Sequence, residues 1–503
     1  MEMNVTHETV RMNETVLDRA LEQPVELEYT LPDYYPSIFK LLKCRVTPHI
    51  YACRTSGDKL VMDGVAVVHL LYVDEEENQL HSIVQKIPFS KSSDLNADIQ
   101  SPMISYQATT DYVNCRVVNP RKIDLRGAVT IQLVVTSQRD EVILADAQGA
   151  GIQLRRSSLP SSGEQLWENR QFSLSEQVDL EGHPSVGELL AVEMAAVPDS
   201  CKLIANKAIS KGTAYLHIIY RTQEEPARIH TLDTEIPVSQ ILDMPGVDED
   251  YQCDVRYEVT TVETSTIEGG LEIEADITIS CFAFLPRELQ MITDAFSTSY
   301  QITPTKKRIR VTGKQETFHQ KVMLSQSFDL PQLREIYDSY ATITNLSGTF
   351  NDDMIDFTAS LNLILSGADE NGEPVIDERS IPVSFQIAQR YSCGDPVVEA
   401  EAIPIMIDHM IEGQRADLKV TVFLSGKITC SHEVDMMTDI MVDEDAPKEV
   451  STDALTLYYP EPGEDIWEIA KRFSTSIEAI MRENELEQPV INDEGMLMIP
   501  IVR

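Results

Sequence analysis

Gly64-Val-Ala-Val-Val-His-Leu-Leu-Tyr72 and Gly212-Thr-Ala-Tyr-Leu-His-Ile-Ile-Tyr220 stand 148 residues apart and share glycine, alanine, histidine and tyrosine in register. Both stretches read as strands, yet both are apolar on each face, which predicts a central strand covered on two sides. Upstream, Pro36-Ser37-Ile38 with Leu41-Leu42 returns as Pro184-Ser185-Val186 with Leu189-Leu190. Downstream, Ile87-Pro-Phe-Ser90 returns as Ile236-Pro-Val-Ser239 and Ile381-Pro-Val-Ser384. Proline in that element predicts an edge strand or a strand end. A closing marker recurs at offsets of 148 and 145: Ile143-Leu-Ala-Asp146-Ala, Met291-Ile-Thr-Asp294-Ala and Met436-Met-Thr-Asp439-Ile. Independent anchors in one order at nearly constant spacing define a repeat of three copies.

Each copy opens on a short apolar segment with leucine pairs at helical spacing (36–42, 186–192, 333–336). The two-sided strand follows, then a turn rich in Asp, Glu, Asn or Gly at 74–79, 223–226 and 367–372. Later runs such as 271–281 and 417–424 alternate strictly, so one face of each meets a core and the other water. The expected fold is mostly β, with three antiparallel β-rich domains of about 150 residues. The boundaries fall at 1–149, 150–300 and 301–442, followed by an acidic linker at 443–454 and a small module at 455–503. The third copy departs most: Phe357 stands at the glycine position and Leu365 at the tyrosine.

The 503 residues carry 82 acidic and 41 basic side chains, a net charge of -41. Such a chain repels nucleic acid and anionic lipid. Its basic clusters, Arg155-Arg156 and Lys306-Lys307-Arg308, read as solvated strand ends. The eight cysteines are dispersed without a C-x-x-C pair, which predicts buried thiols and neither a disulfide framework nor a metal site. The first residues lack the apolar core of a signal peptide and no run reaches membrane-spanning length, so a cytoplasmic protein is expected. No catalytic fingerprint is present. His69 and His217 are equivalent, but the third copy places Asn362 there, which fits a hydrogen-bonding residue and not a base. The expectation is a non-enzyme without cofactor.

The C-terminal module has its own pattern. Leu455, Leu457 and Tyr459 alternate, 460–463 turns, and Asp465 is placed to cap a helix bearing Ile466, Ile469, Ala470 and Phe473. Ser476 or Thr475 caps a second helix carrying Ile477, Ile480 and Met481, and Gly495-Met-Leu-Met-Ile-Pro500 gives a last strand. This βααβ pattern, with Tyr458-Tyr-Pro-Glu-Pro-Gly463 and Trp467, closely resembles the LysM domain. The glycine-to-tyrosine strand and the Ile-Pro-Phe/Val-Ser element make the repeats similar to the SPOCS domain. Together the layout resembles the SipL family of spore-coat morphogenetic proteins.

The LysM resemblance implies a shallow groove for N-acetylglucosamine polymers. Its walls would be Pro462, Gly463, Glu464, Asp465 and Ile466 on one side and Val490, Ile491, Asn492 and Asp493 on the other. Those loops are acidic, and wall glycan is itself partly anionic, so the rim opposes glycan capture. Trp467 lies on the core side of its helix and is expected to pack. The SipL-like layout implies a scaffold made in the mother cell and held at the forespore surface. Its implied partners are a coat morphogenetic ATPase of the SpoIVA type and other coat proteins. The alternative is an anchor that holds peptidoglycan or cortex glycan through LysM.

Overall fold

A computed structural model describes residues 3–76, 78–95, 99, 102–448, 455–461, 463–486, 488 and 496–500. Strands dominate, and two short helices lie in the C-terminal module. In the first unit, strands Ile38–Ser56, Lys59–Asp74 and Leu80–Asp94 form one antiparallel sheet with Lys59–Asp74 in the middle. Asn4–Thr30, Lys122–Gln148 and Met103–Asn119 form a second, with Lys122–Gln148 in the middle. The two sheets enclose one core containing Ile50, Met62, Leu70, Tyr72, Ile123, Leu125 and Ile131. The second and third units repeat this strand order around cores that include Tyr220, Ile277 and Ile279, and Leu361, Leu363 and Leu418.

The anchors of the repeat have visible physical work. Tyr72 and Tyr220 are fully buried and donate their hydroxyls to the carbonyls of Pro36 and Pro184, so the motif's proline and tyrosine are two ends of one hydrogen bond. Leu365 is equally buried but has no hydroxyl to donate. A Cβ on Gly64 would lie 2.4 Å from the Phe89 ring, and one on Gly212 would lie 2.2 Å from Tyr257. The third unit solves the same space problem by exchange. Phe357 pairs across the ladder with Gly348, whose added Cβ would meet the Phe357 ring at 2.8 Å. Bulk and absence of bulk have traded strands.

Three expectations need correction. The openings with leucine pairs at helical spacing are strand, beginning at Ile38, Val186 and Glu335, because ladder pairing to the central strand overrides the spacing. Strand pairing also runs past 442 into the acidic stretch, as far as Pro447 opposite Tyr300. The basic clusters are not loose ends. Arg155, Arg156, Lys306, Lys307 and Arg308 lie inside strands, and each meets a carboxylate.

The central strands are covered twice because the units pack against each other. Leu70 and Tyr72 face the first unit's own core, whereas Leu71 and Val73 meet Leu190 and Ile219 of the second. Leu80–Asp94 contacts Val186–Ile204, Ile229–Asp243 contacts Glu335–Asn351, and Pro374–Ala388 returns to Ile38–Ser56. The same pair of strand positions makes each junction, so the three units close into a ring. At its centre Lys43 reaches Asp338 across 3.8 Å, Arg45 pairs with Glu193, and His217 lies 3.4 Å from Asp338.

The first and last strands of each unit outrun the sandwich and continue as two-stranded ribbons. Residues 4–15 pair with 136–148, Ile152–Ser161 with Arg287–Ser297, and 300–312 with 431–447. A bulge or break at 15–17, 162–164 and 312–315 marks where each ribbon leaves its sandwich. The three ribbons bundle into a stem. Leu144, Ile292 and Met437 meet in one apolar cluster with Ala147, Ala295 and Ile440, and Ile143, Met291 and Met436 meet in another. The closing marker of the repeat is therefore the stem's interior.

Candidate functional site

The C-terminal module is built as its pattern predicts. Leu455–Tyr458 pairs with Leu497–Pro500, and helices Ile466–Arg472 and Ile477–Glu483 lie between them in sequence. Asp465 caps the first helix by accepting the Trp467 amide at 2.9 Å, and Ser476 caps the second by accepting that of Ala479. Thr475, the other capping candidate, instead donates its hydroxyl to the Pro500 carbonyl.

The groove residues divide. Pro462, Val490, Ile491, Asn492 and Asp493 lie outside the described residues. Gly463 takes φ +86° with nothing near its Cβ position, a conformation suited to glycine. Glu464 turns inward, accepting the Tyr458 hydroxyl at 2.9 Å and lying 3.3 Å from Arg472. Ile466 is buried in the module's core. Asp465 points its second oxygen away from the module, 2.7 Å from Arg155 of the second ribbon.

That ion pair belongs to a docking surface which the sequence reading did not identify. Trp467, 3% exposed, donates its indole N–H to Asp294 at 2.8 Å, and Lys471 donates to the same oxygen at 2.6 Å. Phe296 enters the module's core, its ring 4.9 Å from that of Trp467 and near perpendicular to it. Lys448 bridges the Ser297 carbonyl and the Ser474 hydroxyl. Burial alone would push the Asp294 carboxyl up, but the hydrogen bonds from Lys471 and Trp467 outweigh it and hold the group below its ordinary range.

Each stem ribbon offers an aspartate at this place, and each aspartate meets a basic side chain of the next ribbon. Asp146 pairs with Arg156 at 2.5 Å, Asp294 with Lys306 at 3.3 Å, and Asp439 with His7 at 3.5 Å, which closes the circle. Only the second ribbon adds Phe296, where the others have Gln148 and Met441, and Arg155, where they have Thr6 and Thr305. One aromatic ring and one guanidinium thus choose the ribbon on which the module sits. The aspartate and the arginine pair were visible in the sequence, but nothing there joined them to Trp467.

The thiol expectation also changes. Cys393 and Cys430 form a disulfide with a Cα–Cα distance of 6.4 Å, while Cys44, Cys53, Cys115, Cys201, Cys253 and Cys281 remain free. Cys393 lies between strands Pro374–Ala388 and Val397–Glu412 and folds back on the closing strand, so 37 residues of separation hide the proximity.

His69, at the ring's centre, bonds the Leu190 carbonyl through Nε2, and His217 meets Asp233 and Asp338. Asn362 donates to Thr344. These are contacts of the ladder and the junctions.

A family model for the SPOCS domain of SipL matches residues 37–118 and 185–282, and one for the LysM domain matches 461–492. Neither the curated proteins nor the solved structures include a match to this chain. The third unit has the strand order of the two matched units but not their glycine and tyrosine. SPOCS and LysM are binding domains, which connects the chain to sporulation through the first and to peptidoglycan binding through the second. The chain thus carries two segments that match the SPOCS domain of SipL and a C-terminal segment that matches LysM, a layout similar to SipL.

Proposed function

We propose that the protein is a non-enzymatic adaptor in spore-coat assembly, docking other coat proteins through its SPOCS ring and its LysM module. The observation that carries this reading is the seat of the LysM module. Asp465, a residue of the family's glycan-groove wall, and the neighbouring Trp467 are both engaged with the second ribbon, so that end of the groove already faces a protein surface. The acidic rim and a net charge of -41 add repulsion toward anionic glycan. A ring of three similar units presents related faces in three directions, and linked weak contacts gain avidity. A coat morphogenetic ATPase of the SpoIVA type is the proposed first partner, met at the forespore surface in the mother cell. Among the described residues no helix is long and apolar enough to cross a membrane.

The test offers the full chain, and a chain ended at residue 448, to such an ATPase and to peptidoglycan sacculi separately. The adaptor reading expects the ATPase to retain the full chain and to lose the shortened one, with sacculi retaining neither. Retention by sacculi alone would replace it with the glycan-anchor reading.

A further inference from the structure

The disulfide of the third unit has an imidazole beside it that a disulfide does not require. His432 Nε2 lies 3.2 Å from the Cys393 sulfur and 3.5 Å from that of Cys430. Among the described residues this is the one set of three such side chains whose ligand atoms lie within 4.8 Å of each other. Cys430 and His432 are two apart on a strand, which turns both to one face. Gly313 on the partner strand leaves them room: a Cβ there would meet the Cys430 sulfur at 2.5 Å and His432 Cδ2 at 3.3 Å.

The fold does not demand these residues. At the equivalent positions the first unit has Ser137 and Arg139, and the second has Leu285 and Arg287. Thiol and imidazole are additions of the third copy. Tetrahedral zinc with bonds of about 2.3 Å to sulfur and 2.0–2.1 Å to nitrogen sets its sulfur and nitrogen ligands about 3.6 Å apart. Both observed sulfur–nitrogen separations are already close to that value. Only the sulfur–sulfur bond must open. Cys430 is buried beside Phe318, Phe357 and Tyr391, an apolar backing that strengthens thiolate–metal attraction. Cys393 and His432 are half-exposed and leave a way in for the ion and for water as a fourth ligand.

We propose that Cys393, Cys430 and His432 form a redox-gated site for a thiophilic divalent cation of the zinc class. In the oxidised chain the two sulfurs hold each other and the site is closed. A phosphine reductant with one water opens it: the disulfide gains two electrons and two protons and becomes two thiols, and the phosphine becomes its oxide. The cation then displaces the two thiol protons and binds both thiolates and the neutral Nε2.

The experiment titrates cobalt(II), as a coloured stand-in for zinc, into the full chain before and after phosphine reduction in metal-free buffer. The reduced chain is expected to take up one equivalent with a thiolate-to-cobalt charge-transfer band, and the oxidised chain to show no such band. Cys393→Ser and His432→Ala should each weaken uptake at least about tenfold. His432→Ala keeps both cysteines, so its oxidised form can be melted against the parent chain to verify folding. A band of undiminished affinity in both variants would put the ion on the other cysteines and overturn the proposal. Absence of uptake by the reduced parent would overturn it as well.

Discussion

Trp467 donates its indole N–H to Asp294 across 2.8 Å and 173 residues of sequence, joining the LysM module to the closing strand of the second SPOCS unit. Asp294 occupies the place held in the other ribbons by Asp146 and Asp439, so the module has captured one member of an internal ring of aspartate–base contacts.

Asp294→Ala should loosen the module without unfolding the ring. A hydrogen bond to a charged group contributes about 1.5–3 kcal/mol, and the exposure of Lys471 places its share toward the lower end. Hydrogen exchange should quicken in Ile466–Arg472 and stay unchanged in Lys59–Asp74. Unchanged exchange in both would mean that Phe296 alone holds the module. Because the carboxyl's value is lowered in the docked state, its contribution to docking is fully present above the ordinary aspartate value of about 3.9 and is lost as pH falls through the lowered one.

His217 makes the junction of the second and third units sensitive to base. Burial opposes its charge, but Asp233 at 2.6 Å and Asp338 at 3.4 Å push its value up to about 10. A raised value contributes stability that is complete below about pH 6.5, the unfolded value, and is lost as pH climbs toward the folded one. The melting temperature should therefore fall between about pH 6.5 and the folded value, and His217→Gln should flatten that fall. An identical slope in the variant would remove His217 from the account.

Gly212→Ala should cost about 1–3 kcal/mol, since its Cβ would press on the Tyr257 ring at 2.2 Å and the Val197 carbonyl at 2.5 Å. Gly394→Ala, with nothing within 4 Å, should stay within about 0.5 kcal/mol of the parent. Urea unfolding of both variants checks the contrast, and equal effects would contradict the close-approach explanation.

The stem should depend on its apolar interior rather than on its ring of polar contacts. Leu144→Ala removes a side chain 1% exposed, which should cost about 2–5 kcal/mol. His7→Ala breaks a pair whose partners are 39% and 53% exposed and should change stability by less than about 1 kcal/mol. Thermal melts at low and at high salt compare the two. A strong salt effect would reverse the ranking.

Legibility followed the range of the interactions. The two-sided strand, the edge strand carrying Ile-Pro-x-Ser and the caps Asp465 and Ser476 were readable because period, proline and capping chemistry act over a few residues. The leucine spacing at 36–42 misled for the complementary reason: a short helical period has little force against a ladder that pairs it to a central strand. Cys430 and His432 carried a legible signal, two ligands on one face of a strand, but their third member lies beyond a loop.

The sequence alone determined that one β-rich unit is used three times, that its middle strand is covered on both faces, and that a small βααβ module follows. Repetition and periodicity are properties of neighbouring residues and survive without coordinates. The tertiary structure decided what covers those faces, that the three units close into a ring over a stem, and that the module sits on the second ribbon. Those outcomes rest on contacts such as Leu71 with Leu190 and Trp467 with Asp294, between residues more than a hundred positions apart, where side-chain shape and charge select a partner that no local pattern names.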